Sequence, residues 1–167
     1  MAFEEISVKA LGDNPFSLIG DKWMLITAGQ QGNLNTMTAS WGGLGVLWNK
    51  NVAFSFVRPQ RHTFSFLERE DYYTLSFYQE SYRPALAMCG KVSGKDTDKI
   101  SKAGLTPVFD EPAPYFSEAR LVLVCKKIYG QFLQPTCFID EKIEECYPEK
   151  DYHKMYVGEV VNALVCK

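Results

Sequence analysis

No two of the five cysteines, Cys89, Cys125, Cys137, Cys146 and Cys166, are separated by the two residues that most zinc and dithiol redox motifs require. The count is odd, and the start Met1-Ala-Phe-Glu-Glu-Ile6 is acidic where an export leader is basic and then apolar. The thiols are therefore expected to be reduced and buried, with a single reactive thiol as the alternative, and the expected compartment is the cytoplasm. Histidine is scarcer still. His62 and His153 are the only two, neither sits in an H-E-x-x-H pattern, and no metal site is expected. A Cys–His nucleophilic pair stays open, since such partners meet only in the fold. An excess of one charge is missing too: 18 Lys and Arg against 20 Asp and Glu leave a net charge of −2. A general nucleic-acid binder needs a positive field to displace counterions from phosphates, so that class is excluded, although a local anion pocket needs only a few cations. The longest apolar run, Leu121 to Cys125, is five residues against the roughly 20 that span a bilayer, so no membrane segment is expected.

The glycine-rich nucleotide motifs are absent as well. Gly90-Lys-Val-Ser-Gly-Lys95-Asp96 has one spacer too few for a phosphate loop and lacks the hydroxyl that would hold magnesium. Gly42-Gly-Leu-Gly45 is not G-x-G-x-x-G and opens no βαβ unit. No 20–50-residue period recurs, and no Pro, Gly or Ser linker divides the chain, so residues 1–167 read as a single domain.

What the chain has is apolar and aromatic mass. Of its 167 residues 46% are hydrophobic and 14% aromatic, enough for a packed core without staples. Tyr73, Leu75 and Phe77 alternate with Thr74 and Ser76, the period of a strand. Lys22–Ala28, Val52–Val57, and the segment around Thr38 have strand composition. Leu121 to Cys125, within 120–133, suits a strand covered on both faces. Met155 to Val161 runs into Leu164-Val165 as a closing strand, with Gly158 a bulge or close-approach point. Short helices are expected at 63–70, where Ser65-Phe-Leu-Glu68 fits a capping box, at 82–88, and at 97–103 before Gly104. Many strands with few helices between them predict a mainly β, antiparallel barrel and not a doubly wound parallel sheet.

Two segments point to a ligand. Asn35-Thr-Met-Thr-Ala-Ser-Trp41, followed by Gly42 and Gly43, lays small and hydroxylated side chains where a flat ligand could reach the backbone. Alternation predicts Thr38 and Ser40 on the ligand face; the alternative stacks Trp41 on the ligand. Without a ligand the segment reads as an ordinary polar strand. About twenty residues on, Arg58-Pro-Gln-Arg61-His62-Thr63 brings two cations and a hydroxyl to the start of a helix, where unpaired N–H groups favour a phosphate. Its plain alternative is a solvated loop.

The run N-T-M-T-A-S-W-G-G, then an aromatic strand, then R-P-Q-R-H-T, resembles the flavin reductase-like family of FMN-binding split barrels. The resemblance extends from about Trp23 to Val161, through Ser93-Gly-Lys95-Asp96 with Asp98-Lys99 and through His153 to Val160. It implies a six-stranded, Greek-key-like split β-barrel that pairs as a homodimer around FMN. The ring would lie along Thr36, Met37, Thr38, Ala39, Ser40 and Trp41, with Asn35 as a further cofactor contact. The phosphate would lie near Arg58, Arg61, His62 and Thr63, with Ser93 and Lys95 as loop contacts. His153 would stand near the flavin or nicotinamide edge as the one catalytic candidate. Cys89 and Gly90 before the loop depart from many reductases of the family. The implied activity is NAD(P)H-dependent flavin reduction, with NAD(P)H a transient donor. The alternative is a flavoredoxin-like FMN electron carrier reduced by a protein partner, and a third reading is a split barrel binding another ligand or none.

Overall fold

The computed structural model describes residues 2–167, and residue 1 lies outside them. Eight strands form one antiparallel sheet: β1 (Phe3–Glu5), β2 (Met24–Gln30), β3 (Asn33–Ala39), β4 (Gly42–Leu47), β5 (Lys50–Val57), β6 (Tyr72–Phe77), β9 (Leu121–Phe132) and β10 (Lys154–Cys166). A two-stranded ribbon, β7 (Pro107–Val108) and β8 (Tyr115–Phe116), lies apart from it. The helices are α1 (His62–Arg69), α2 (Arg83–Lys91) and α3 (Lys99–Lys102). The order across the sheet is β3-β2-β6-β9-β10-β5-β4, with β1 added beside β10.

The six strands read from the sequence are all present, and β1 and β4 raise the expected six to eight. β4 was hidden by its three glycines, which weaken intrinsic strand preference. Pairing with β5 makes it a strand, from Gly42 opposite Ser55 to Leu47 opposite Lys50. The two-residue turn between them holds Trp48 and Asn49 at φ of 52° and 57°, the left-handed pair that matches strand twist.

The outermost strands β3 and β4 are joined only by Ser40 and Trp41. Three steps of 3.8 Å between successive Cα atoms hold Ala39 and Gly42 within about 11 Å of each other. The sheet must therefore curl until its ends meet, and the result is a barrel split along that seam. A Cβ at Gly42 would stand 2.8 Å from the Phe54 carbonyl and 3.1 Å from Met24 Cε, so β4 crosses close to both β5 and β2 here.

Both faces of the sheet are covered. Leu121, Leu123 and Cys125 point into the barrel with Tyr73, Leu75 and Phe77, while Val122 and Val124 face an outer cluster with Leu86, Cys89 and Phe116. The two-sided reading of 121–125 holds. So does that of Gly158: the β9–β10 register shifts beside it, and a Cβ there would stand 2.4 Å from Tyr73 Oη.

Other expectations change. α1 starts at His62, with Arg61 at its cap position and no side-chain cap. The capping box does not form, because Ser65 already lies within the first turn and donates to the His62 carbonyl at 3.0 Å. Glu68 instead accepts from Lys154 Nζ and Tyr156 Oη of β10. α2 runs past Met88 to Lys91, and α3 shrinks to four residues because Asp98, accepting from the Ser101 amide, caps it late. Cys89 and Cys125 are buried, but Cys137 and Cys146 are exposed on short helical turns and Cys166 is intermediate. Among the described residues no helix is long and apolar enough to cross a membrane.

Candidate functional site

The seam opens into a cavity of about 220 Å³. Met37, Thr38 and Ala39 from the end of β3, Ser40 and Trp41 from the link, and Phe56 from β5 form its walls, with Arg58, Arg61 and His153 around them. The expected alternation of Thr38 and Ser40 against Ala39 and Trp41 does not extend this far. The β2–β3 ladder ends at the pair Met24–Ala39, and the link then turns toward β4, so all four residues border one space. Thr38 Oγ1 is not free: it donates to the Leu86 carbonyl of α2. Trp41 is half-exposed, with its ring centroid 5.3 Å from that of His153.

His153 precedes β10 and is buried, with Nδ1 2.7 Å from Tyr147 Oη. Burial, helped by the nearby Arg58 charge, brings its pKa down to about 4, so the ring is neutral at pH 7. Burial raises the Tyr147 pKa, and the phenol keeps its proton. A hydroxyl that donates to Nδ1 leaves the ring proton on Nε2, whereas one that accepts from Nδ1–H leaves Nε2 an acceptor. Arg58 is occupied in the same corner. It pairs with Asp151 at 2.8 Å, donates to the Cys146 carbonyl and lies 4.9 Å over the Tyr147 ring. Its charge is compensated locally, so it shapes the first cavity more than it attracts an anion.

A second cavity of about 130 Å³ lies at the start of α1 and shares Arg61 with the first. His62 and Thr63 border it from the helix, and Gly90, Ser93 and Lys99 from α2, the following loop and α3. Arg61 Nη1 donates to the Gly90 carbonyl at 3.1 Å, and no carboxylate forms an ion pair with it among the described residues. Burial pushes its pKa below the ordinary guanidinium value. Lys99 is only 2% exposed, and its Nζ donates to the carbonyls of Cys89 and Val92 at 3.0 and 3.1 Å. Burial brings its pKa to about 8; Cys89 opposes that shift and Arg61 adds to it. An ammonium has three donors, and two are taken. One buried and one half-buried cation held by carbonyls, beside a helix N-terminus, make a cradle for a doubly charged oxyanion.

Of the residues singled out in the sequence, Met37, Thr38, Ala39, Ser40, Trp41, Arg58 and His153 thus meet at the first cavity. His62, Thr63 and Ser93 meet at the second, and Arg61 joins the two. Asn35, Thr36 and Lys95 border neither. Asn35 Nδ2 donates to Thr63 Oγ1 at 2.8 Å, which fixes the helix start, and Gly94 passes so close that a Cβ would meet Asn35 Oδ1 at 2.0 Å. Thr36 is fully buried against Thr27, with 2.8 Å between their hydroxyls. Lys95 is exposed and uses its amide on Ser93 Oγ. Sequence reasoning missed Lys99, Phe56 and Tyr147 as site residues. The only signal for Lys99 was its place in the Asp98-Lys99 motif, since a lysine read alone is a solvated side chain.

Residues 16–167 match the family model described as the flavin reductase like domain. No curated protein matches the chain by sequence. Among solved structures, the chain is similar to an FMN-binding domain of a flavin reductases-like enzyme from Shewanella baltica, with a TM-score of 0.70 and 15% identity over 98% of this chain and 77% of that one. It is similar to the flavoredoxin of Desulfovibrio vulgaris, with a TM-score of 0.68 and 20% identity over 98% and 78% of the two chains. The third is an NADH:FAD oxidoreductase of Streptomyces globisporus in complex with NAD and FAD fragments, at 0.64 and 17% over 87% and 74%.

Proposed function

The chain belongs to the flavin reductase-like family, and on that premise we propose that it binds FMN and serves as an NAD(P)H-dependent flavin oxidoreductase. The observation that supports this most is Arg61, a half-buried guanidinium without a carboxylate partner among the described residues, at the junction of a cavity walled by Trp41 and Phe56 and a helix N-terminus. A ring in the first cavity and one phosphate in the second fit a mononucleotide. FMN, when bound, supplies the hydride chemistry, and the protein supplies position and dipoles.

In this reading Arg61, Lys99 and the first amides of α1 hold the phosphate, and Asn35 holds Thr63 in place. The end of β3 and the Ser40–Trp41 link offer main-chain groups to the ring edge. His153, neutral at pH 7, offers Nε2 as a hydrogen-bond donor or acceptor without adding charge. It is a positioning group in this reading and not a proton source. Half-exposed Trp41 leaves the mouth open to a large partner, which favours a second reading, an electron carrier of the flavoredoxin kind. We propose in addition that the protein is a homodimer.

Titrating purified protein with FMN, FAD and riboflavin tests the proposal, with FMN expected to bind tightest. Anaerobic NADH or NADPH should then bleach the bound flavin. A colourless protein that takes up no flavin would end the proposal, and a yellow protein that neither nucleotide bleaches would leave the electron carrier.

A further inference from the structure

Beyond the two cavities lies a third, of about 440 Å³, that shares Ser40, Trp41 and Phe56 with the ring cavity. Its outer walls are Phe16, Ile19 and Gly20 from the helical turn before β2, and Leu44 from β4. Its chemistry differs from that of its neighbour. The ring cavity carries Arg58, Arg61 and His153, whereas among the described residues no charged side chain borders this groove and Ser40 is its one polar side chain apart from the Trp41 indole. Phe16 is 87% exposed and Trp41 50% exposed, so two large aromatic surfaces face the groove at an energetic cost in water. The volume lies within the range of small-molecule sites.

We propose that this groove binds an uncharged, flat aromatic molecule of one or two rings, in contact through Trp41 and Phe56 with whatever fills the ring cavity. The contact with flavin rests on the function proposed above; the preference of the groove rests on its own lining. An anionic ligand would be desolvated here with no cation to receive it, so charge must act against binding. A neutral ring gains burial against Phe16, Trp41 and Ile19, and Ser40 can bond one oxygen at its edge. A pyrophosphate-bearing nucleotide would have to keep its charged half outside the groove.

Calorimetric titration of the FMN-treated protein with 2-naphthol and with naphthalene-2-sulfonate tests this, because the two share a ring system and differ in charge. 2-Naphthol is expected to bind at least tenfold more tightly than the sulfonate. Phe16→Ala should weaken 2-naphthol by roughly 2- to 12-fold, the usual worth of one aromatic contact. Gly20→Leu, at a position where a Cβ meets nothing within 4 Å, should block the groove without disturbing the barrel. FMN uptake is followed by absorbance in the same samples and should be unchanged in both variants. Equal affinities for the two naphthalenes, or 2-naphthol binding unaffected by both substitutions, would overturn the proposal. So would a Phe16→Ala protein that turns from dimer to monomer, since a second copy would then occupy the groove. A colourless protein that still discriminates the naphthalenes would sink the flavin reading and leave the groove's preference standing. A yellow one indifferent to them would do the reverse.

Discussion

Lys99 shows how one residue can make ligand affinity a function of pH. Its ammonium is buried and held by two carbonyls, and its pKa stands near 8 in the free protein. A phosphate monoester is already a dianion above about pH 7, so any further change in affinity belongs to the protein. Binding a dianion raises the lysine pKa, and above pH 8 the free protein must take up a proton to bind. FMN affinity should therefore fall above pH 8, by up to about tenfold per pH unit, while riboflavin affinity stays level. Titrations from pH 7 to 9.5 read this directly, and Lys99→Gln should remove the step and weaken FMN at pH 7. His153 works in the opposite range. Its folded pKa of about 4 lies below the unfolded value near 6.5, so the unfolded chain binds more protons between them. Stability is full above pH 6.5 and is lost as pH falls toward 4, by about 2 kcal/mol between pH 7 and 5. Urea unfolding of His153→Phe should show a shallower acid slope than the parent protein. Equal slopes would mean that the ring is not buried in its neutral form.

At the scale of elements, close approach decides which glycines matter. A Cβ at Gly158 would stand 2.4 Å from Tyr73 Oη and 2.8 Å from Cys125 Cβ, both fully buried. Gly158→Ala should lower stability by about 1–3 kcal/mol, the usual cost of overpacking, whereas Gly20→Ala should stay within about 1 kcal/mol. Denaturant midpoints of the two variants make the comparison. Gly158 was readable in the sequence because it interrupts a strand whose period is otherwise clear. The same period gave β6 and β9, where alternation and a continuous apolar run translate directly into burial. It failed for Gly42–Leu47, whose strand is made by its β5 partner and not by its own residues. It failed again at Ser40 and Trp41, because nothing local marks Ala39 as the last paired residue. Arg58 and Lys99 show the limit for the site. One pairs with Asp151 and the other reaches back to Cys89, and such partners are fixed only when the chain folds.

For the whole molecule, the seam between β3 and β4 organises the account. It brings a cavity walled by Trp41 and Phe56 together with an anion cradle at Arg61, and the β4–β5 hairpin beside it leaves Val46 and Trp48 exposed. Exposed apolar side chains of this size favour association, and a homodimer is the expected state, burying more than about 2,000 Å² in total. Sedimentation at micromolar concentration checks it; a monomer that retains FMN would show that one chain completes the site. The central claim, that Arg61 joins a ring cavity to a phosphate cavity, is tested most directly by comparing FMN and riboflavin affinities in Arg61→Ala. The account predicts a loss of roughly 10- to 150-fold for FMN, the worth of one charge-assisted hydrogen bond, and little change for riboflavin, which carries no phosphate. Equal losses for the two ligands would contradict it.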